Sequence, residues 1–179
     1  MAEIGIFFGT DSGTTRLIAK KMAKKLGELA GKPLNVNRIG VEDMLAYDAL
    51  ILGTPSYGEG ELPSETTGVK DGSWQEFLPQ LLEYDLSGKV IALYGLGDQD
   101  KYGHRFANAL YELYENLARR GATIVGAWST DGYAFSESKS VIDDKFVGLV
   151  LDQSNQSLLT EERIDSWLEM IKPTLLRSA

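Results

Sequence analysis

Four short apolar runs, 4–8, 49–53, 90–95 and 123–128, are almost uninterrupted by polar residues. Their length and their glycine and polar flanks predict strands, and the lack of alternation predicts parallel strands covered on both faces. The segment 34–39 alternates apolar and polar positions and predicts a strand at the sheet's edge. Between these runs the period changes to that of a helix. Ile18, Met22, Leu26 and Leu29 share one face of 15–29, and Phe106, Leu110, Leu113, Tyr114 and Leu117 share another before Gly121. Ser73 followed by Glu76 is a capping-box signature ahead of Phe77, Leu78, Leu81 and Leu82. A last helix from about Thr160 carries Ile164, Trp167, Leu168 and Ile171 and is predicted to end near Pro173, while a short helical turn is predicted around 42–46. Trp74 and Trp167 fall on apolar helical faces and are expected in the core.

This alternation predicts one α/β domain over 1–179: a doubly wound, five-stranded parallel sheet with helices on both faces. No repeat, linker or low-complexity tract divides it. The polar stretch STDGYAFSESKSVIDDK, between Trp128 and Phe146, is expected to form an inserted surface lobe in the last strand, which Trp128 closes, before FVGLVLD resumes strand character.

Composition narrows the chemistry. The chain has no cysteine and one histidine, which excludes disulfides, thiol catalysis and cysteine-held iron–sulfur clusters and leaves no multi-histidine metal set. Redox chemistry, if present, must come from a bound cofactor. A net charge of −8 opposes binding to nucleic acid or anionic membrane and favours basic protein partners. With no long apolar segment or signal-like leader, a cytoplasmic, monomeric protein is expected.

In such a sheet, ligands bind beyond the carboxyl ends of strands, so the loops that follow strands carry the information. The first is Gly9-Thr10-Asp11-Ser12-Gly13-Thr14-Thr15, between a strand and a helix. Its small residues would gather backbone N–H groups, a helix N-terminus and the hydroxyls of Thr10, Ser12, Thr14 and Thr15 around one anion. Without the lysine of a triphosphate loop, a monophosphate fits it better. Alone, the loop reads equally well as a plain helix cap. The second loop, GTPSYGEGELP from Gly53, and the third, GLGDQDKYG from Gly95, each set an aromatic, Tyr57 or Tyr102, among glycines. Two such loops suit a flat ring system between them, and the conjunction at three strand ends outweighs any one loop.

These segments resemble the flavodoxin family, specifically its long-chain branch, over almost the whole chain. Thr10-Asp11-Ser12-Gly13-Thr14-Thr15 is similar to the family's T-x-T-G-x-T loop, with Ser12 conserving a hydroxyl. GTPSYGEGEL resembles the first flavin loop and GLGDQDKYG the second, while GAWSTDGYAF and FVGLVLDQSNQ resemble the segments around the long-chain insertion. The resemblance implies strand order 2-1-3-4-5 and one non-covalent FMN. It implies that Thr10, Asp11, Ser12, Gly13, Thr14 and Thr15 hold the phosphate. Tyr57 and Tyr102 would flank the isoalloxazine, with Thr54, Pro55 and Ser56 along its edge. Gly95, Gly97, Asp98 and Gln99 would face its pyrimidine side, and Asp152 would lie near the ribityl chain.

The implied function is low-potential one-electron transfer through the semiquinone and hydroquinone states, from a flavodoxin-reductase-type donor to acceptor redox proteins, without enzymatic turnover. Gly58 would supply the carbonyl that accepts the flavin N5 proton, a peptide flip made inexpensive by glycine. Glu59, Glu61, Asp98 and Asp100 would oppose the second electron. Family members serve nitrogenase, photosynthetic or biosynthetic acceptors. The alternative with the same fold is an FMN-dependent quinone or azo reductase, which would need open space over the ring and usually a dimer. A phosphoacceptor signalling domain would need an aspartate where the third strand ends Leu52-Gly53-Thr54. His104 reads as a loop surface residue, and Asn155-Gln156-Ser157 as an incidental glycosylation match.

Overall fold

Strand β1, Ile4–Phe8, is buried along its whole length. The computed structural model describes residues 1–10, 13–57 and 60–178. It sets β1 between β2, Leu34–Asn35, and β3, Ala49–Thr54, followed by β4, Val90–Leu96, and β5, Thr123–Val125, in the order β2-β1-β3-β4-β5. All these pairings are parallel, and Phe8, Gly53 and Tyr94 stand side by side across β1, β3 and β4.

The apolar runs are continuous because alternate residues feed two cores. Ile4, Ile6, Ile51 and Tyr94 face α1, Thr14–Leu26, and α5, Thr160–Ser178, packing against Ile18, Met22, Ile164 and Trp167. Phe7, Leu50, Leu52 and Leu93 face α3, Trp74–Leu81, and α4, Ala109–Arg119, packing against Trp74, Phe77, Leu110 and Leu113. Helix α2, Val41–Leu45, buries Val41 and Met44. Trp74 and Trp167 are fully buried, as expected, each such side chain contributing about 2–3 kcal/mol through area removed from water. Glu76 Oε1 accepts from Ser73 N at 2.8 Å, making half of the capping box. Ser73 Oγ finds no partner among the described residues.

Several boundaries differ from the sequence expectation; the helix expected over 15–29, for one, ends at Leu26 and passes into a 3-10 turn, Gly27–Leu29. The edge strand 34–39 shortens to Leu34–Asn35, because the Asn35 side chain accepts from Asn37 N at 3.2 Å and turns Val36–Arg38 into a 3-10 helix. Phe106 precedes α4 rather than lying on it. Helix α5 runs through Pro173 to Ser178, since the ring removes a single N–H while Ile171 and Leu175 stay buried.

The strand 123–128 stops at Val125, where Gly126 adopts φ 92° and leads the chain out of the sheet. Trp128–Ser129 (β6), Val141–Ile142 (β7) and Lys145–Phe146 (β8) then form a separate antiparallel sheet. Asp143 and Asp144, both at positive φ, close its two-residue hairpin. The chain re-enters as β9, Leu149–Leu151, parallel to β4. Thus β5 pairs with Val90–Ala92 and β9 with Tyr94–Leu96: the last strand is split by the insertion.

The lobe is more than a surface excursion. Phe135, Phe146 and Tyr133 gather around Phe106, with ring centroids 5.2, 5.9 and 6.1 Å away. Trp128 Nε1 donates to the Tyr133 hydroxyl at 3.0 Å, and that hydroxyl donates to Val150 O at 2.6 Å, closing the insertion onto β9. Among the described residues no helix is long and apolar enough to cross a membrane.

Candidate functional site

Strand order reverses beside β1, and the loops leaving β1, β3, β4 and β9 converge there on one cleft of about 370 Å³. Thr14 enters its wall from the first loop, Pro55, Ser56, Tyr57 and Gly60 from the second, Leu96, Gly97, Asp98, Lys101, Tyr102 and Arg105 from the third, and Gln153 and Ser154 from the segment after β9.

The first loop is tied from beneath. Gly9 N donates to Gly53 O at 3.1 Å, as does Trp74 Nε1 at 2.9 Å, and Asn35 Nδ2 donates to Thr10 O at 2.8 Å. Thr10 Oγ1 and the Tyr57 hydroxyl stand 3.5 Å apart. Asp11 and Ser12 lie outside the described residues. Gly13 leads into α1, its carbonyl accepting from Leu17 N at 2.8 Å. Thr15 is wholly buried, yet its Oγ1 finds no hydrogen-bond partner among the described residues. A buried, unsatisfied donor at the start of a helix of 13 residues with no acid in its first turn is what an anion completes.

The second loop is a tight turn in which Tyr57 N donates to Glu61 O at 2.9 Å and Gly60 N to Tyr57 O at 2.9 Å. Gly58 and Glu59 lie outside the described residues. Ser56 Oγ accepts from Ala109 N at 3.1 Å and anchors the loop to the start of α4. Thr54 is buried, its hydroxyl spent on Pro55 O at 2.8 Å.

In the third loop Asp98 Oδ1 accepts from Lys101 N at 3.0 Å and from Asn155 Nδ2 at 2.8 Å. These bonds, the backbone one foremost, hold its carboxyl below the usual range, so it stays charged at the cleft. Lys101 Nζ and Arg105 Cζ lie 5.4 and 5.0 Å from the Tyr102 ring centre. Arg105 Nη1 also donates to the exposed His104 Nε2 at 2.7 Å.

Of the residues the sequence singled out, Thr14, Pro55, Ser56, Tyr57, Gly97, Asp98 and Tyr102 share the cleft wall, with Thr10 and Thr15 buried in the first loop. Gly95, Gln99 and Asp152 stand outside that wall. Gly95 sits within β4 and leaves room for Leu110, which an added Cβ would meet at 3.3 Å. The Gln99 N–H, expected to face a ligand, donates instead to Asp152 Oδ2 at 2.9 Å, and Gln99 Nε2 to the same oxygen at 2.7 Å. Asp152, fully buried, also accepts from Asn155 N at 3.0 Å; it braces the third loop from behind. Asn155 is thereby explained as a bridge between Asp152 and Asp98.

Sequence reasoning missed Lys101 and Arg105, although their places one before and three after Tyr102 put them beside any ring that Tyr102 covers. Gly60 and Leu96 stood within quoted loops, and Gln153 and Ser154 directly after Asp152.

A cleft of strand-end loops at the switch point of an open parallel sheet defines a doubly wound α/β protein built to hold a nucleotide-sized ligand at its strand ends. The chain belongs to the flavodoxin family, whose model matches residues 6–167. It is 51% identical over 176 residues to a flavodoxin of Klebsiella pneumoniae, covering 98% of this chain and 100% of that one. To flavodoxin 1 of Escherichia coli K12 it is 42% identical, over 98% of this chain and 96% of the relative. A crystal structure of Fusobacterium nucleatum flavodoxin bound to flavin mononucleotide superposes with a TM-score of 0.86 at 37% identity, covering 97% and 99% of the two chains.

Proposed function

We propose that this protein is a long-chain flavodoxin that holds one FMN and carries single electrons from a reductase-type donor to acceptor redox proteins. The observation that carries this reading is the buried Thr15 hydroxyl at the head of α1, without a partner among the described residues, next in sequence to Thr14 in the wall of a cleft that Tyr57 and Tyr102 also line. The FMN named in the Fusobacterium nucleatum structure, and the lobe splitting the last strand here, support it.

When bound, FMN supplies one-electron chemistry at its ring; the residues bind, orient and screen it. Thr15 and Thr14, with Gly13 and the loop residues Thr10, Asp11 and Ser12, would hold the phosphate, which the partial positive charge of about half a unit at the α1 N-terminus favours without a lysine. Tyr57 and Tyr102 would exclude water from the ring faces. The Gly97 and Asp98 backbone would stand at its polar edge, and the Gly58 carbonyl would accept a hydrogen bond from a protonated ring nitrogen. Asp98 opposes extra negative charge on the ring: a carboxylate about 10 Å away at an effective dielectric near 20 costs about 1.7 kcal/mol. Lys101 and Arg105, on the same wall, act with the opposite sign. The whole chain is read as one cytoplasmic domain, working as a monomer and docking through acidic surface.

Stepwise anaerobic reduction of the purified protein, followed by absorbance, tests this. One FMN released per chain and two resolved one-electron steps are expected. A single two-electron step, together with quinone-dependent oxidation of a nicotinamide in the absence of any reductase, would move the protein to the reductase class. No flavin bound after adding FMN would overturn the reading.

A further inference from the structure

Tyr94 is fully buried in β4, directly opposite Gly53 of β3. A Cβ on Gly53 would lie 2.0 Å from Tyr94 Cζ and 2.4 Å from its hydroxyl oxygen, so the phenol occupies the space that a side chain at 53 would fill. Across that gap the hydroxyl reaches the helix packed beside β1 and donates to Thr15 O at 3.0 Å. Burial pushes the phenol above its ordinary range, which keeps it a donor at every physiological pH.

A phenylalanine would fill the same volume without burying a hydroxyl, and a buried hydroxyl is tolerated only when it is bonded. The bond it makes is not one that helix formation requires. A helical carbonyl has two lone pairs and the helix uses one; Tyr94 takes the other. It does so at Thr15, the residue whose own Oγ1 is buried and has no partner among the described residues.

We propose that Tyr94 is a positioning residue for the anion site: by pinning the Thr15 main chain to the sheet, across the gap left by Gly53, it sets Thr15 Oγ1 to donate to a phosphate monoester at the head of α1. The proposal rests on the FMN reading and assigns Tyr94 a part in selecting for the phosphate, with no contact to the ring.

The test compares FMN with riboflavin, the same ring lacking the phosphate, each titrated into apoprotein by quenching of flavin fluorescence. Wild-type protein is expected to prefer FMN. Tyr94→Phe should lose about three- to tenfold in FMN affinity, the range for one hydrogen bond, while riboflavin affinity stays within about twofold. Thr15→Val should lose at least as much for FMN, and Thr15→Ser, which keeps the hydroxyl, should retain the preference. The double variant Tyr94→Phe with Thr15→Val should lose no more than Thr15→Val alone, because Tyr94 acts through Thr15.

An unchanged FMN-to-riboflavin ratio in Tyr94→Phe, equal weakening of both ligands, or losses that add in full in the double variant would each overturn the proposal. Failure of the underlying reading looks different: wild-type protein would bind neither flavin, or would bind both equally, and the site and the proposal would fall together.

Discussion

At the residue scale, the cleft depends on side chains whose neighbours leave them little freedom. Gly53 is the tightest case. Its carbonyl holds Gly9 N and Trp74 Nε1, and its missing side chain admits the Tyr94 ring. Gly53→Ala should therefore lower stability by about 1–3 kcal/mol through overpacking, read as a fall in the urea midpoint at constant slope. Glu112 behaves in the opposite sense. Burial first, then the charge of Glu61, raises its pKa, with Lys139 partly offsetting them. Because the folded value lies above the unfolded one, the folded state binds the proton more readily. Stability thus falls as pH rises through that window, and the penalty is complete at neutral pH. Glu112→Gln is expected to stabilise by about 0.5 kcal/mol at pH 7, after allowance for solvent screening, and to change nothing near pH 3. Denaturant unfolding at the two pH values checks both the size and the sign.

At the scale of elements, the third loop is held by what surrounds it. Asp152, at the end of β9, takes the main chain and side chain of Gln99 and joins them to Asn155. The lobe holds the same loop from the other side: Gln99 Oε1 accepts from Ala134 N, and Gly103 O accepts from Ser136 N at 2.7 Å and Glu137 N at 3.0 Å. Asp152→Ala would leave the buried Gln99 amide unpaired. It is expected to cost about 2–3 kcal/mol and to speed amide hydrogen exchange at residues 99–105 while leaving α1 and α5 unchanged. Equal protection in variant and wild type would show that the loop is held elsewhere. None of this bracing was legible in the chain, where the family resemblance set Gln99 at the ring's pyrimidine side and Asp152 near the ribityl chain. Strand ends are legible from apolar runs; which of two adjacent polar residues turns inward depends on donors from segments more than 30 residues away.

At the scale of the whole molecule, charge and topology set what the protein can meet. The net charge of −8 gives a long-range field that attracts a basic partner. The rate of electron exchange with a basic redox protein should fall at least about tenfold between roughly 0.05 and 0.5 M ionic strength, in a stopped-flow measurement. A rate indifferent to salt would separate docking from this charge. The exposed ion pairs between α1 and α5, Lys21 and Lys25 with Glu161 and Lys25 with Asp165, hold the Glu161 carboxyl below its usual range, Lys21 foremost. They favour the folded state at neutral pH and lose that effect as pH falls through the lowered value; being exposed, they add little.

Local pattern alone determined most of the architecture. Apolar runs with glycine ends produced β1, β3 and β4, helical spacing produced the faces of α1, α4 and α5, and the three strand-end loops marked the cleft. Such features depend on residues within one turn or one strand of each other. Only the tertiary structure decided the features that join distant segments. These are the division of the last strand between β5 and β9, the passage of α5 through Pro173, the inward turn of Gln99 onto Asp152, and the reach of Tyr94 across Gly53 to Thr15. Each is a contact between segments far apart in sequence, whose free energy comes from packing and buried hydrogen bonds that exist only once the sheet has assembled.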